Sequence, residues 1–380
     1  MKYISFSPYY AGLCNVLLSY ELAIAISIIS KRTLILPHKV WLYSVCKSQD
    51  KEDYIDIMDI FDKEFIYNNI DCIDFLDVPE FKGNYDKLEG PKSYTKNIKD
   101  VIPNVAEIKF GPYKKETDSE TCLIDVDWVI CSNNAFGKDF KKFSNERKIL
   151  NISNITQKFI HFEQNLFSQH WYSVYAGEES KRNEIKKIIN GCLRYNTKYY
   201  KMADNVKNKI GNYNSVHVRR TDFLDFAPEY QSCIGDKHKL LERIKLFFDK
   251  DIPLYICTDE TDREYFEEVS KEYKIYFYDD FNYELNELEK AIVEQLICAE
   301  SELFYGTYLS TFSSRINIIR GINGKKVEDH LKIDIDKNNF ININKSIHWY
   351  YDGRGEKLNW ALSQHPHWKY EKNGVYVDER

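Results

Sequence analysis

Residues 214–222 read NSVHVRRTD. Val216 and Val218 make a short apolar run around His217, and the run stops on Arg219, Arg220 and Asp222. Charge is cheap on an open surface and costly where a buried strand ends, so this placement points to an anion held at the strand's tip. Downstream, strand and helix patterns alternate. KHKLLERIKLFFDK (237–250), DREYFEEVSKEY (262–273), ELEKAIVEQLICAES (287–301) and SSRINIIRGIN (313–323) read as helices. PLYICTDE (253–260), KIYFYDD (274–280) and LFYGTYLST (303–311) read as the strands between them. Strands joined through helices lie parallel in one sheet. Residues 201–345 therefore read as a doubly wound, Rossmann-like domain, and the fold class as α/β.

The same alternation opens the chain. KYISF (2–6) is a strand, Ala11-Gly12 a small-residue turn, 15–31 an apolar helix, and RTLILP (32–37) a strand stopped by Pro37. A second Rossmann-like domain is thus expected over 1–200, with an irregular acidic and aromatic insertion at about 38–120. TCLIDVDWVICS (121–132) reads as one buried strand and 155–210 as mostly helical. The segment 346–380 is too rich in Trp, Tyr and His for a flexible tail and is expected to pack back on the domains.

The 380 residues suffice for two ordinary domains. A net charge of −6 argues against a nucleic-acid partner. The nine cysteines are scattered without C-x-x-C spacing, which reads as buried free thiols rather than a disulfide framework or a zinc site. MKYISFSPYY lacks the apolar core of a secretory signal. The longest apolar stretch, LAIAISII at 22–29, falls well short of the about 20 residues of a membrane span. The expectation is a cytoplasmic protein with at most peripheral membrane association.

Ligands of parallel α/β sheets sit at the carboxyl ends of the strands. Three such ends carry suitable groups: His217, Arg219, Arg220 and Asp222; Thr258 and Asp259; and STFSSR at 310–315, where Ser313 or Ser314 is expected to cap a helix whose free N–H groups face the ligand. An Arg-Arg pair alone is an ordinary surface pair, and T-x-S-S alone an ordinary cap. Together, at successive strand ends, they describe a diphosphate site in which arginine neutralises the leaving group without a metal. Asp125-Val-Asp127 and Asp334-Ile-Asp336 both fit a D-x-D metal motif, at chance level in so acidic a chain. His365-Pro-His367 has no third ligand at a suitable spacing. Neither G-x-x-x-x-G-K-[ST] nor G-x-G-x-x-G occurs.

HVRRTD (217–222) resembles the H-x-R-x-x-D motif of the fucosyltransferase superfamily, and STFSSR (310–315) its T-F-S-S segment. AGLCNVLLSYELAIAISIISKRTLILP (11–37) is similar to the opening of α1,2- and protein O-fucosyltransferases. The resemblance implies a GT-B fold, two Rossmann-like domains facing across a cleft, with GDP-fucose bound mainly by the C-terminal one. It implies inverting transfer to a glycan or protein hydroxyl, with no obligatory metal or other cofactor. Carried across, Arg219 holds the β-phosphate, while His217 and Arg220 line its pocket. Thr311, Phe312, Ser313 and Ser314 meet nucleotide and phosphates. Gly12 turns the loop that brings Asn15 to the donor sugar, and Glu294 reads guanine. Asp222 orients the arginine loop.

The chain departs from the family pattern at Cys14, Val16 and Phe223, where relatives carry glycine, glutamine and lysine, so a different acceptor is expected. Asp225, and after it Glu229, are the nearest carboxylates for a general base. A mechanism without a protein base competes with them. Another nucleotide-sugar donor, or a non-catalytic glycan- or protein-binding descendant, are the alternative readings.

Overall fold

In the computed structural model, Tyr3–Phe6 (β1), Leu13–Ser30 (α1) and Thr33–Leu36 (β2) form the expected βαβ unit, with β1 and β2 parallel. The structure describes residues 1–8, 12–37, 39–42, 54–88, 91–108, 121–125, 128–132, 148–162, 172–176, 179–226, 235–307, 310–323 and 325, and short strands at 340–342, 350–351, 357–358, 371–372 and 375–376. Helix α1 is buried from Leu13 to Ser27 apart from Asn15. It is long and apolar enough to cross a membrane, yet 78% of that window is buried inside the protein. A helix apolar on all sides is what a core position requires.

Two compact units divide the chain, one built on Met1–Asn196 and one on Thr197–Lys357. In the first, the remaining strands are Cys72–Asp74 (β3), Ala106–Ile108 (β4), Thr121–Asp125 (β5), Trp128–Ser132 (β6), Lys148–Asn151 (β7), Phe159–Phe162 (β8) and Tyr172–Ala176 (β9). The main sheet runs β3-β2-β1-β8-β4, with every neighbour parallel. The insertion at about 38–120, expected to be irregular, supplies two of these strands, β3 and β4. Both are three residues long, too short to display an alternation. TCLIDVDWVICS is a hairpin rather than one strand: β5 and β6 pair antiparallel, with Asp125 opposite Trp128. The stretch expected to be mostly helical begins with strands β8 and β9, and its helices are Glu179–Cys192 and Thr197–Ile210 (α2).

The second unit follows the sequence closely. It contains Asn214–Val218 (β10), Thr221–Phe226 (α3), Lys237–Phe247 (α4), Leu254–Thr258 (β11), Ile275–Tyr276 (β12), Glu287–Glu300 (α5), Phe304–Thr307 (β13), Thr311–Ile322 (α6) and Phe340–Asn342 (β14). The order is β12-β11-β10-β13-β14, parallel except for the last pair. The helix expected at 262–273 is only a 3-10 turn and one α-turn, Arg263–Phe266 and Glu267–Ser270. Val216, Val218, Leu240, Ile244, Leu254, Ile256 and Phe266 form the core on one face of the sheet. Each such side chain contributes about 1.5–3 kcal/mol by leaving water. Both units are thus α/β with five-stranded, largely parallel sheets, as the expectation of two Rossmann-like domains requires.

Cys14, Cys72, Cys192, Cys257 and Cys298 are free thiols, and all but Cys72 are buried. The aromatic tail at 346–380, apart from its short strands, lies outside the described residues.

Candidate functional site

Strand order reverses between β10 and β13: the chain winds outward from β10 through β11 to β12, then returns to place β13 on β10's other side. In an open parallel sheet the crevice at such a reversal, above the carboxyl ends, is where ligands bind. Burial of β10 along its whole length makes the residues just beyond it, Arg219 and Arg220, the first that can meet solvent.

His217 is 5% exposed, shares a hydrogen bond from Nδ1 to Ser313 Oγ at 2.7 Å, and its ring lies 4.6 Å from that of Phe312. The imidazole pKa falls to about 3, first because burial penalises the charged ring and then because Arg219 repels it. It is therefore a neutral hydrogen-bonding group. Arg219 forms a two-pronged pair with Asp222, Nε to Oδ1 at 2.8 Å and Nη2 to Oδ2 at 2.6 Å. Its side chain is still 24% exposed, so the fork geometry that binds a carboxylate is set out at the mouth of the site, where it matches a phosphate equally well.

The second arginine faces elsewhere. Arg220 pairs with Glu260, and its guanidinium lies 4.1 Å over the ring of Tyr265. Its backbone N–H donates to Asp259 Oδ1 at 2.7 Å, and Thr221 Oγ1 donates to Asp259 Oδ2 at 2.6 Å. The two adjacent arginines thus divide: Arg219 at the β10–β13 reversal, Arg220 fastened to the loop after β11. Thr258 Oγ1 donates to Val218 O at 2.7 Å.

Helix α6 is capped by Ser310, whose side chain accepts from Ser313 N–H, and not by Ser313 or Ser314 as the sequence suggested. The serine triplet allows either register. Burial decides, because Ser313 is 0% exposed and its hydroxyl is committed to His217. Thr311 and Phe312, the first residues of α6, are partly exposed. N–H groups in the first turn of a helix have no partner within it. The Ser314 side chain lies outside the described residues.

Glu294 lies under the sheet on α5, 7% exposed, accepting from Tyr255 Oη at 3.2 Å. Burial raises its carboxyl to about 7. Asp225 sits exposed on α3; Glu229 lies outside the described residues. So do Asp127, Asp334, Asp336, His365 and His367, as well as the side chain of Asp125. Among the described residues no group of three His, Cys, Asp or Glu side chains could hold a metal ion.

In the N-terminal unit, Gly12 is the N-cap of α1 at φ −65° and ψ 158°, a conformation open to any residue. The turn therefore does not depend on glycine's freedom. Gly12 O accepts from Asn15 N–H at 3.0 Å, and Asn15 Oδ1 is buried without a donor among the described residues. An unmet buried acceptor costs about 1–3 kcal/mol, and a ligand hydroxyl would remove that cost. Sequence reading missed Thr307, at the end of β13. Its hydroxyl accepts from Arg219 N–H at 2.9 Å and donates to His217 O at 2.7 Å. The available signal was a hydroxyl residue ending the strand beside β10.

Residues 3–323 match the family model for GDP-fucose protein O-fucosyltransferase. The chain is 34% identical over 126 residues to GDP-fucose protein O-fucosyltransferase 2 of Plasmodium vivax, covering 31% of this chain and 25% of that one. For the Homo sapiens protein of the same name the figures are 34% over 122 residues, 30% and 27%. With its Plasmodium berghei namesake it shares 33% over 197 residues, 47% and 39%. The matches thus span a quarter to two fifths of these relatives' length. Among solved structures, POFUT1 in complex with GDP aligns over 84% of this chain and 94% of its own, at 14% identity and a TM-score of 0.45. NodZ α-1,6-fucosyltransferase co-crystallised with GDP aligns over 84% and 93%, at 11% identity and 0.44.

Proposed function

The chain belongs to the GDP-fucose protein O-fucosyltransferase family, and from that premise we propose that it transfers fucose from GDP-fucose to a hydroxyl of a protein or glycan acceptor, inverting the anomeric carbon. The observation that carries the reading is Arg219, a guanidinium fork at the β10–β13 reversal, partly exposed and fixed through its backbone.

Displacement of GDP builds oxocarbenium character on the sugar and negative charge on the departing diphosphate. Arg219 and the first-turn N–H groups of α6 stabilise that charge more in the transition state than in the ground state, which is what lowers a barrier. The leaving group is thus neutralised by protein donors and the step uses no metal. Asp222 holds the fork in its binding orientation until diphosphate oxygens share or replace the carboxylate. His217, uncharged, donates or accepts through Ser313 beside the nucleotide, while Glu294, buried against Tyr255, is not placed to read the base. Asp225 or Glu229 takes the acceptor's proton. The family name of the relatives favours a protein acceptor.

Arg219→Ala is expected to cut turnover of GDP-fucose by roughly 100- to 1,000-fold, the size of effect seen when one such stabilising donor is removed. Steady-state kinetics across GDP-fucose, GDP-mannose and UDP-sugars, with GDP-induced thermal stabilisation alongside, provide the check. Preference for another donor would move the reading to that sugar nucleotide. Absence of turnover with any donor would abandon catalysis, and unchanged rates in Arg219→Ala would remove this residue's role.

A further inference from the structure

The ladder between β10 and β13 pairs Ser215 with Phe304 and Val216 with Tyr305. Continued in register, its next rung would join Val218 to Thr307. In a parallel ladder such a rung consists of two bonds: residue 307 would give its N–H to the carbonyl of 217, and its carbonyl would take the N–H of 219. Here one side-chain oxygen meets both of those backbone partners. Thr307 Oγ–H donates to His217 O at 2.7 Å, and Thr307 Oγ1 accepts from Arg219 N–H at 2.9 Å. A hydroxyl has one proton to give and two lone pairs, so it can hold both partners at once. Thr307 is 1% exposed, which shields these bonds from water.

We propose that Thr307 is a positioning residue for the transfer reaction: its hydroxyl fixes the peptide on either side of Val218, and so sets where the Arg219 guanidinium stands when the diphosphate departs. The inference rests on the reading of Arg219 as the group that meets the diphosphate. Among the described residues the ties to the backbone around Arg219 include Thr307 on the β13 side, Thr258 Oγ1 on Val218 O, and Asp259 on Arg220 N–H. Of these, Thr307 alone holds the N–H of Arg219 itself. Without it the peptide can turn while the Arg220 side remains fastened, and a shift of about 1 Å in a charge-stabilising group is enough to cost about 100-fold in rate. The loss falls on the transition state rather than on ground-state binding, because the charge on the diphosphate is largest there.

Thr307→Val, isosteric but without the hydroxyl, and the smaller Thr307→Ala are compared with Thr307→Ser and wild type for kcat and KM toward GDP-fucose. GDP affinity and thermal midpoint are measured on the same samples. The expected result is a kcat lower by roughly 10- to 100-fold in Val and Ala, with KM and GDP affinity within about 3-fold of wild type and Ser restored to within about 3-fold. Amide exchange at Arg219 should quicken in Val and Ala but not in Ser. Val and Ala proteins that melt lower yet turn over at the wild-type rate per folded molecule would overturn the proposal, leaving Thr307 a structural tie only. So would a Ser variant as slow as Val. Wild-type protein that neither binds GDP nor turns over GDP-fucose would instead overturn the functional reading, and the proposal with it.

Discussion

At the scale of single residues, the site is held by groups kept out of their usual charge state. His217 is neutral because burial depresses its pKa from 6.5 to about 3. Protons that the unfolded chain takes up below pH 6.5 are refused by the folded one. The stability His217 contributes is therefore present above pH 6.5 and is lost as pH falls toward 3. Between pH 6.5 and 5 that amounts to about 1–2 kcal/mol. Glu294 has the opposite sign: its pKa is raised from 4.5 to about 7, so its contribution is present below pH 4.5 and is lost as pH rises through 7. Urea unfolding at pH 5 and 7 should show a smaller acid-side loss in His217→Gln than in wild type. In Glu294→Gln the acid-side loss should be larger. Equal slopes in all three proteins would show that neither group is buried as described. The sequence made the presence of His217, Arg219 and Ser313 at one site legible, because strand-end position and residue type suffice for that. It could not say that Arg220 turns toward Glu260 and Tyr265, since adjacent residues of a loop take whichever partners the neighbouring strands bring.

At the scale of elements, strands with a full alternation and helices of three turns were readable, and short ones were not. β10, β11, α5 and α6 fell where their patterns placed them, because each buries a long enough stripe to impose its period. β3 and β4 are fixed by the sheets they join, and no local pattern marks them, while β12 falls inside the strand read at 274–280 but keeps only two of its residues. The start of α6 shows the same limit at finer grain. The sequence offered Ser313 or Ser314 as the cap, and the fold instead assigns Ser313 to His217 and the cap to Ser310. Ser310→Ala is accordingly expected to cost about 1 kcal/mol in global stability, measured by denaturant unfolding. Ser314→Ala should leave it nearly unchanged. The reverse ranking would restore the cap that the sequence suggested.

At the scale of the whole molecule, each of the two units has its own sheet and hydrophobic core. On the proposed reading GDP is held by the C-terminal unit and should raise the unfolding free energy of that unit, by about 2.7 kcal/mol at one hundred times its dissociation constant. Hydrogen exchange resolved to β10, β11 and β13 should register the gain, with less in β1, β2 and β8. Uniform protection of both units would mean that they unfold as one. The division was legible in the sequence as two separate βα series, but the role of residues 72–108 in the first sheet was not. The antiparallel strand β14, which pairs Asn342 with Tyr305 and Phe340 with Thr307, bears on how the chain survives outside its folded context. It covers the outer side of β13, where unpaired backbone N–H and C=O groups would otherwise recruit a strand from another molecule. A chain ending before Phe340 should keep the arginine fork yet self-associate edge to edge, visible as concentration-dependent aggregation in light scattering. Protection against that fate comes from three residues, Phe340–Asn342, distant in sequence from the arginine loop and the start of α6.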